Sequence, residues 1–222
     1  MIPLAAAQTE PTVPLLDAPP RRTGSGGRVA AVLAIVLGTA TVIGSYVLAV
    51  LDPTGRAFDD AVMDAATGVG LRGEGLDVLE LVGIPTVALA VIVLAGVALA
   101  RGRGDRALGV VALVLGAQLV TQVLKAGLVR PESLEGNSLP SGHVTLVASL
   151  GLALVLVVPR ALRPLAGLVA VAVTGIAGVA TMVAGWHRPS DVLAAVGVVA
   201  ATGGVVTLAG ALLRARPRPR PA

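Results

Sequence analysis

Three short stretches hold the residues able to do chemistry. Lys125, the only lysine in the chain, is followed by Arg130-Pro131. A compact ammonium and a forked guanidinium this close together suit the equatorial oxygens of a phosphoryl group. Next, Asn137-Ser138-Leu139-Pro140-Ser141-Gly142-His143 leads into an apolar run. Proline with a serine before it predicts a helix start here. The free N–H groups of such a terminus form an anion site, and Gly142 lets an oxyanion approach the backbone closely. His143 then falls in the first helical turn. The third stretch, Trp186-His187-Arg188-Pro189-Ser190-Asp191, carries the other histidine. His187 and Asp191 are four residues apart, which puts them on one helix face if a helix starts near Pro189. A carboxylate bonded to one imidazole nitrogen sets the tautomer and makes the other nitrogen a better nucleophile or base.

Each stretch by itself has a plainer explanation. A lysine at a membrane edge snorkels to the headgroups, and a His–Asp pair can simply stabilise a helix start. The elements that carry the three stretches decide between these readings. The chain is 55% hydrophobic and only 14% charged, with a mean hydropathy of +0.88. A soluble domain of 222 residues needs far more charge on its surface. The stretches 29–51, 81–100, 107–124, 144–158, 165–186 and 192–213 contain no charged residue. Five of them reach the roughly 17–25 residues that span a bilayer as a helix. The fourth is shorter, but Ser141-Gly142-His143 can extend it. The expectation is an all-α, polytopic bundle of six transmembrane helices. The helices lack the polar faces that a soluble bundle requires.

Charge placement orients the bundle. Arg21, Arg22, Arg28, Arg101, Arg103, Arg106, Arg160, Arg163, Arg214, Arg216, Arg218 and Arg220 fall on one side, twelve of the seventeen cations. Arg56, Arg72, Lys125, Arg130 and Arg188 fall on the other, with ten of the thirteen acidic residues. The positive-inside rule then puts both termini in the cytoplasm. The outer segments are 52–80, 125–143 and 187–191, so all three chemical stretches meet at the extracytoplasmic face of the cell membrane. The first outer segment, around Phe58-Asp59-Asp60, has helical character and receives no chemical role. Residues 1–27 read as a disordered cytoplasmic tail, 28–213 as the membrane domain and 214–222 as a basic Pro/Arg cytoplasmic tail. The chain has no cysteine, which removes disulfides and thiolate metal sites. The net charge of +4 is explained by topology and implies no nucleic acid partner.

Pro140-Ser141-Gly142-His143 and His187-x3-Asp191, in this order and on one membrane side, resemble the type 2 phosphatidic acid phosphatase superfamily of lipid phosphate phosphatases. That family carries a Lys-x6-Arg-Pro element, a Pro-Ser-Gly-His element and a Ser-Arg-x5-His-x3-Asp element. The resemblance implies that His187 attacks phosphorus to give a phosphohistidine, oriented by Asp191, and that His143 serves as acid and then base. Lys125, Arg130, Ser141 and Gly142 are the implied phosphate-binding residues, with a lipid phosphate or diphosphate as substrate and no metal or cofactor. Two departures from the family pattern stand out. Glu132 and Ser133 occupy the places of the first element's Arg-Pro, and Ala180 and Thr181 those of the third element's Ser-Arg.

Two functions from different classes follow. The first is a metal-independent lipid phosphate phosphatase of the extracytoplasmic face. The second is a non-catalytic lipid-phosphate binder or scaffold that keeps the anion pocket; the missing arginines favour it, and the intact His143, His187 and Asp191 oppose it. A small-solute transporter fits less well, because the chain has no repeat. Gln118 and Gln122, on one face of the third span, read as hydrogen-bonding to a neighbouring helix. The substrate lipid and the oligomeric state are not legible.

Overall fold

In a chain this apolar the backbone has to satisfy its own hydrogen bonds. In the computed structural model, which describes residues 25–130 and 137–215, every regular element is helical. Helix α1 (Ser25–Tyr46) widens into a π turn, Val47–Leu51. Asp52 then caps α2 (Pro53–Gly68), its carboxylate accepting the Gly55 N–H at 2.7 Å while Pro53 fills a first-turn position that needs no N–H. Helix α3 (Arg72–Glu80) leads into α4 (Ile84–Ala100) with a bend of 47°. The remaining helices are α5 (Gly104–Gly127), α6 (Gly142–Val157), α7 (Arg163–Val183), entered through the 3-10 turn Arg160–Leu162, and α8 (Pro189–Ala215).

The six apolar stretches fall on α1, α4, α5, α6, α7 and α8, with shifted ends. The second begins at Ile84 instead of 81, because Gly83 is extended and Pro85 starts a new helix. The fifth stops at Val183, short of 186, because Gly185 adopts a positive φ of 77° and ends α7. Helix α1 starts at Ser25 and α8 reaches Ala215. The expected tails beyond them, residues 1–24 and 216–222, lie outside the described residues. By length and composition four helices can cross a bilayer: α1 with its π turn, α5, α7 and α8. The bent pair α3–α4 makes a fifth, and α6 is a shorter apolar helix of 16 residues. Leu48, Ile92, Leu108, Leu119 and Val171 point outward, each at least 65% exposed, which only an apolar surrounding tolerates over so much surface. The fold is that of a helical membrane protein.

Chain reversal puts the α5–α6 and α7–α8 connections at one end of the bundle, here the histidine end. The α4–α5 and α6–α7 connections lie at the other, the arginine end. Helix α2 packs at the histidine end against α7 and α8. Helix α8 is the central element. It touches α1, α5 and α6, and its pairing with α1 is the most extensive in the bundle. That pairing is backbone against backbone. A Cβ on Gly197 would lie 2.7 Å from the Gly38 carbonyl oxygen, and one on Gly204 2.5 Å from that of Ala31. Without a hydrophobic force between helices in lipid, such close approach is what holds them together.

Gly197→Val is therefore expected to push α1 from α8 and lower the thermal midpoint in detergent, by about 1–3 kcal/mol or more as overpacking does. Gly44→Val, also in α1 but with open space around its Cβ, is the control expected to change little.

Candidate active site

The site is built from the starts of α6 and α8 and the end of α5. Gly185, in the left-handed region, turns the chain out of α7, and the N–H groups of Trp186 and His187 donate back to the Thr181 carbonyl at 3.0 and 3.2 Å. Pro189 opens α8, so Asp191 lies in its first turn, where the helix dipole favours a negative charge. The Asp191 side chain is fully buried. Its Oδ2 faces His187 Nδ1 at 3.2 Å and accepts the Arg188 N–H at 3.0 Å, and its Oδ1 accepts from Arg130 Nη2 at 3.5 Å. With Nδ1–H held by the carboxylate, His187 Nε2 keeps its lone pair.

The start of α6 is tied to the same turn. Ser141 donates its N–H to the Asp191 carbonyl at 3.0 Å, while its hydroxyl accepts the Val144 N–H at 3.4 Å as the helix cap. Thr145 donates to the Ser141 carbonyl at 2.8 Å and lies 2.9 Å from the Thr121 hydroxyl, linking α5 to α6 beneath the site. Above these contacts is a cavity of about 360 Å³ lined by Gln118, Gln122, Lys125, Gly142, His143, Leu146, Trp186 and His187. The His143 ring rests against Trp186 with centroids 5.4 Å apart.

Of the expected site residues, Lys125, Gly142, His143 and His187 share this cavity, and Asp191 stands directly behind His187. Ser141 is buried as a cap and is not on the wall. Arg130 is also buried, behind Asp191, with Nε and Nη1 lacking a partner among the described residues. Thr181, at the place of the family's arginine, is a fully buried neutral residue whose hydroxyl donates to the Gly178 carbonyl. Glu132 and Ser133 lie outside the described residues.

Two features differ from expectation. Gln118 and Gln122, expected to bond a neighbouring helix, line the cavity beside Lys125, and the Gln118 carbonyl oxygen is buried without a partner among the described residues. The spacing 118, 122, 125 is that of one helix face and was the available signal. Helix α2, left without a role, supplies two carboxylates. Asp59 accepts the Ser190 N–H at 2.9 Å and the Ser190 hydroxyl at 2.6 Å, and lies 3.9 Å from Arg130. Asp60 pairs with Arg188. No local pattern marks these contacts, which join residues 71 to 131 positions apart. Burial pushes the Asp59 carboxyl above its ordinary 3.8, against the pull of the Ser190 hydrogen bonds and the Arg130 charge. Burial also draws the Arg130 guanidinium down, and Asp191 is the main charge opposing that shift.

A histidine with a buried carboxylate on one nitrogen and its other nitrogen free, facing a second histidine and a lysine, can carry out nucleophilic displacement at a phosphoryl group. Residues 118–214, which include every residue lining the cavity, match the family model of the PAP2 superfamily. The fold is similar to a crystal structure described as the first transmembrane PAP2 type phosphatidylglycerolphosphate phosphatase, from Bacillus subtilis. The TM-score is 0.63 at 18% identity, covering 86% of this chain and 99% of that one. No curated protein matches the chain at a significant level.

Asp59 gives the site a measurable pH signature. Folded Asp59 holds its proton to higher pH than the unfolded chain does, so the folded state binds more protons in the window above 3.8. Stability therefore falls as pH rises through that window. Asp59→Asn removes the titration. The wild-type melting midpoint in detergent is expected to drop relative to that of Asp59→Asn as pH climbs from about 4. Parallel curves would contradict the assignment.

Proposed function

We propose that this chain, whose residues 118–214 match the PAP2 superfamily model, belongs to that superfamily and is a membrane phosphatase acting on a lipid phosphate or diphosphate. The observation that carries the reading is the single cavity joining His187, His143 and Lys125, with Asp191 behind the nucleophile. In the first half-reaction His187 Nε2 attacks phosphorus, the bond from phosphorus to the leaving oxygen breaks, and His143 gives that oxygen its proton. In the second, neutral His143 takes a proton from water, the hydroxide attacks phosphorus and the P–N bond breaks. Inorganic phosphate leaves and His187 is restored. Asp191 holds the Nδ1 proton in both halves and stabilises the cation that forms on the ring.

Lys125 and the N–H groups at the start of α6 near Gly142 hold the phosphoryl oxygens. Ser141 acts from beneath by fixing that terminus. Arg130, buried behind Asp191, acts through that carboxylate by adding its positive charge to the network. No metal or cofactor takes part in this scheme.

The same reading takes α1, α4, α5, α6, α7 and α8 as six spans. Arg101, Arg103, Arg106, Arg160, Arg163 and Arg214 lie toward the end away from the histidines, and the positive-inside rule supports a cytoplasmic side for that end and for both termini. The tails 1–27 and 214–222 then flank a membrane domain of 28–213. The cavity opens at the extracytoplasmic face of the cell membrane, where a lipid reaches it laterally with its tail in the bilayer. A second reading, a binder that keeps the pocket without turnover, is favoured by one observation, the neutral Thr181 in place of a clamping arginine.

Assay of detergent-purified protein on phosphatidate, phosphatidylglycerophosphate and polyprenyl diphosphate separates the two. Phosphate release is expected from at least one substrate, unchanged by chelator. His187→Ala should reduce it by about 10³-fold or more, as loss of a nucleophile does, and Lys125→Ala by about 10²-fold. Release that survives His187→Ala would remove the phosphohistidine step; binding without release from any substrate would establish the binder.

A further inference from the structure

At the arginine end of the bundle, four arginines surround one pocket. Arg103 precedes α5, Arg106 lies in its first turn, Arg160 is in the turn before α7 and Arg163 begins α7. Together they line a cavity of about 200 Å³. Among the described residues no carboxylate comes within ion-pair distance of any of them. Asp105, the acid in the same turn, is engaged by Arg214 at 2.6 Å. One of the four, Arg106, is held from behind. Arg106 donates to the Leu156 carbonyl at 2.8 Å, and the neighbouring Arg101 donates to that of Val157 at 3.3 Å, both at the end of α6. Arg163 Nε is buried without an acceptor among the described residues.

Four guanidinium groups lining so small a space repel one another unless an anion lies among them. A diffuse set of loop cations following the positive-inside rule points into solvent and needs no cavity; here Arg106 is anchored on a helix carbonyl, Arg163 has a buried unpartnered Nε, and the four line a concavity. The complementary ligand is an oxyanion with several equivalent oxygens, because forked N–H pairs match phosphate geometry. We propose that this pocket is a phosphate-binding site distinct from the candidate active site. Nineteen residues of α5 separate Arg106 from Lys125, about 28 Å of helix, so one ligand cannot reach both. The phosphodiester of an anionic lipid headgroup and free inorganic phosphate present the same chemistry here. The proposal does not rest on the catalytic reading.

The test uses the full chain in nanodiscs. Melting midpoints are compared in pure phosphatidylcholine, in equimolar phosphatidylcholine and phosphatidylglycerol, and in phosphatidylcholine with inorganic phosphate replacing chloride at equal ionic strength. The expected result is a rise with phosphatidylglycerol, which assigns a lipid headgroup, or with inorganic phosphate, which assigns the free anion. Arg160→Gln/Arg163→Gln should abolish the rise, and Lys125→Gln should keep it. Arg103→Gln alters only an exposed side chain and so tests the site without risk to folding; it should weaken binding about tenfold, the scale of one lost charge-assisted contact. A rise in neither lipid nor phosphate overturns the proposal. So does a rise that survives both arginine variants, or one lost only in Lys125→Gln, which would put the anion in the other cavity.

Discussion

The site depends on one buried carboxylate. Asp191 has no exposed surface, and its side chain meets His187, the Arg188 backbone N–H and Arg130, while its own carbonyl accepts the Ser141 N–H. These contacts come from three separate parts of the chain, so a single residue sets the imidazole tautomer, closes the start of α8 and registers the start of α6 against it. A buried carboxylate is tolerable only when it is hydrogen-bonded and near opposite charge. Its position in the first turn of α8 adds the favourable end of the helix dipole.

Helix α8, which carries Asp191, is gripped closely by its neighbours. The glycine contacts with α1 leave no room for a Cβ, and α8 also touches α5 and α6, the helices bearing Lys125 and His143. In an apolar solvent, packing has to do what the hydrophobic effect does in water, and small residues permit it. The scaffold is therefore stiff where the site requires alignment. The many exposed aliphatic side chains on its outside are its contact with lipid.

The departures from the family pattern have a physical counterpart. Where the third element has an arginine, Thr181 is buried, and its carbonyl receives the Trp186 and His187 N–H groups. The position serves the turn that carries His187. Positive charge near Asp191 comes from Arg130 instead, and it is accompanied by Asp59 from α2 and by the Asp60–Arg188 pair. The anchoring of α2 thus surrounds Asp191 and Arg130 with a network of paired charges. Among the described residues the cationic side chain lining the cavity is Lys125, with Gln118 and Gln122 as neutral donors beside it.

Sequence alone determined the apolar stretches, their helical nature and the short motifs, because these are encoded within a few residues: uncharged runs, a Pro-Ser-Gly-His string and a His–Asp pair at helical spacing. It also brought Lys125, His143 and His187 to one end of the bundle, since each follows or precedes an apolar stretch of known polarity. Tertiary structure alone decided which of those residues face the cavity. Ser141 and Arg130 carry the right chemistry but are drawn behind the wall by a helix cap and a carboxylate. The glutamines, dismissed as inter-helix bonds, turn inward with Lys125. Asp59 and Asp60 were invisible for a simple reason: their partners Ser190, Arg130 and Arg188 are far along the chain, and only the docking of α2 onto the start of α8 brings the charges together. Local spacing specifies a face; which face meets which is set by packing.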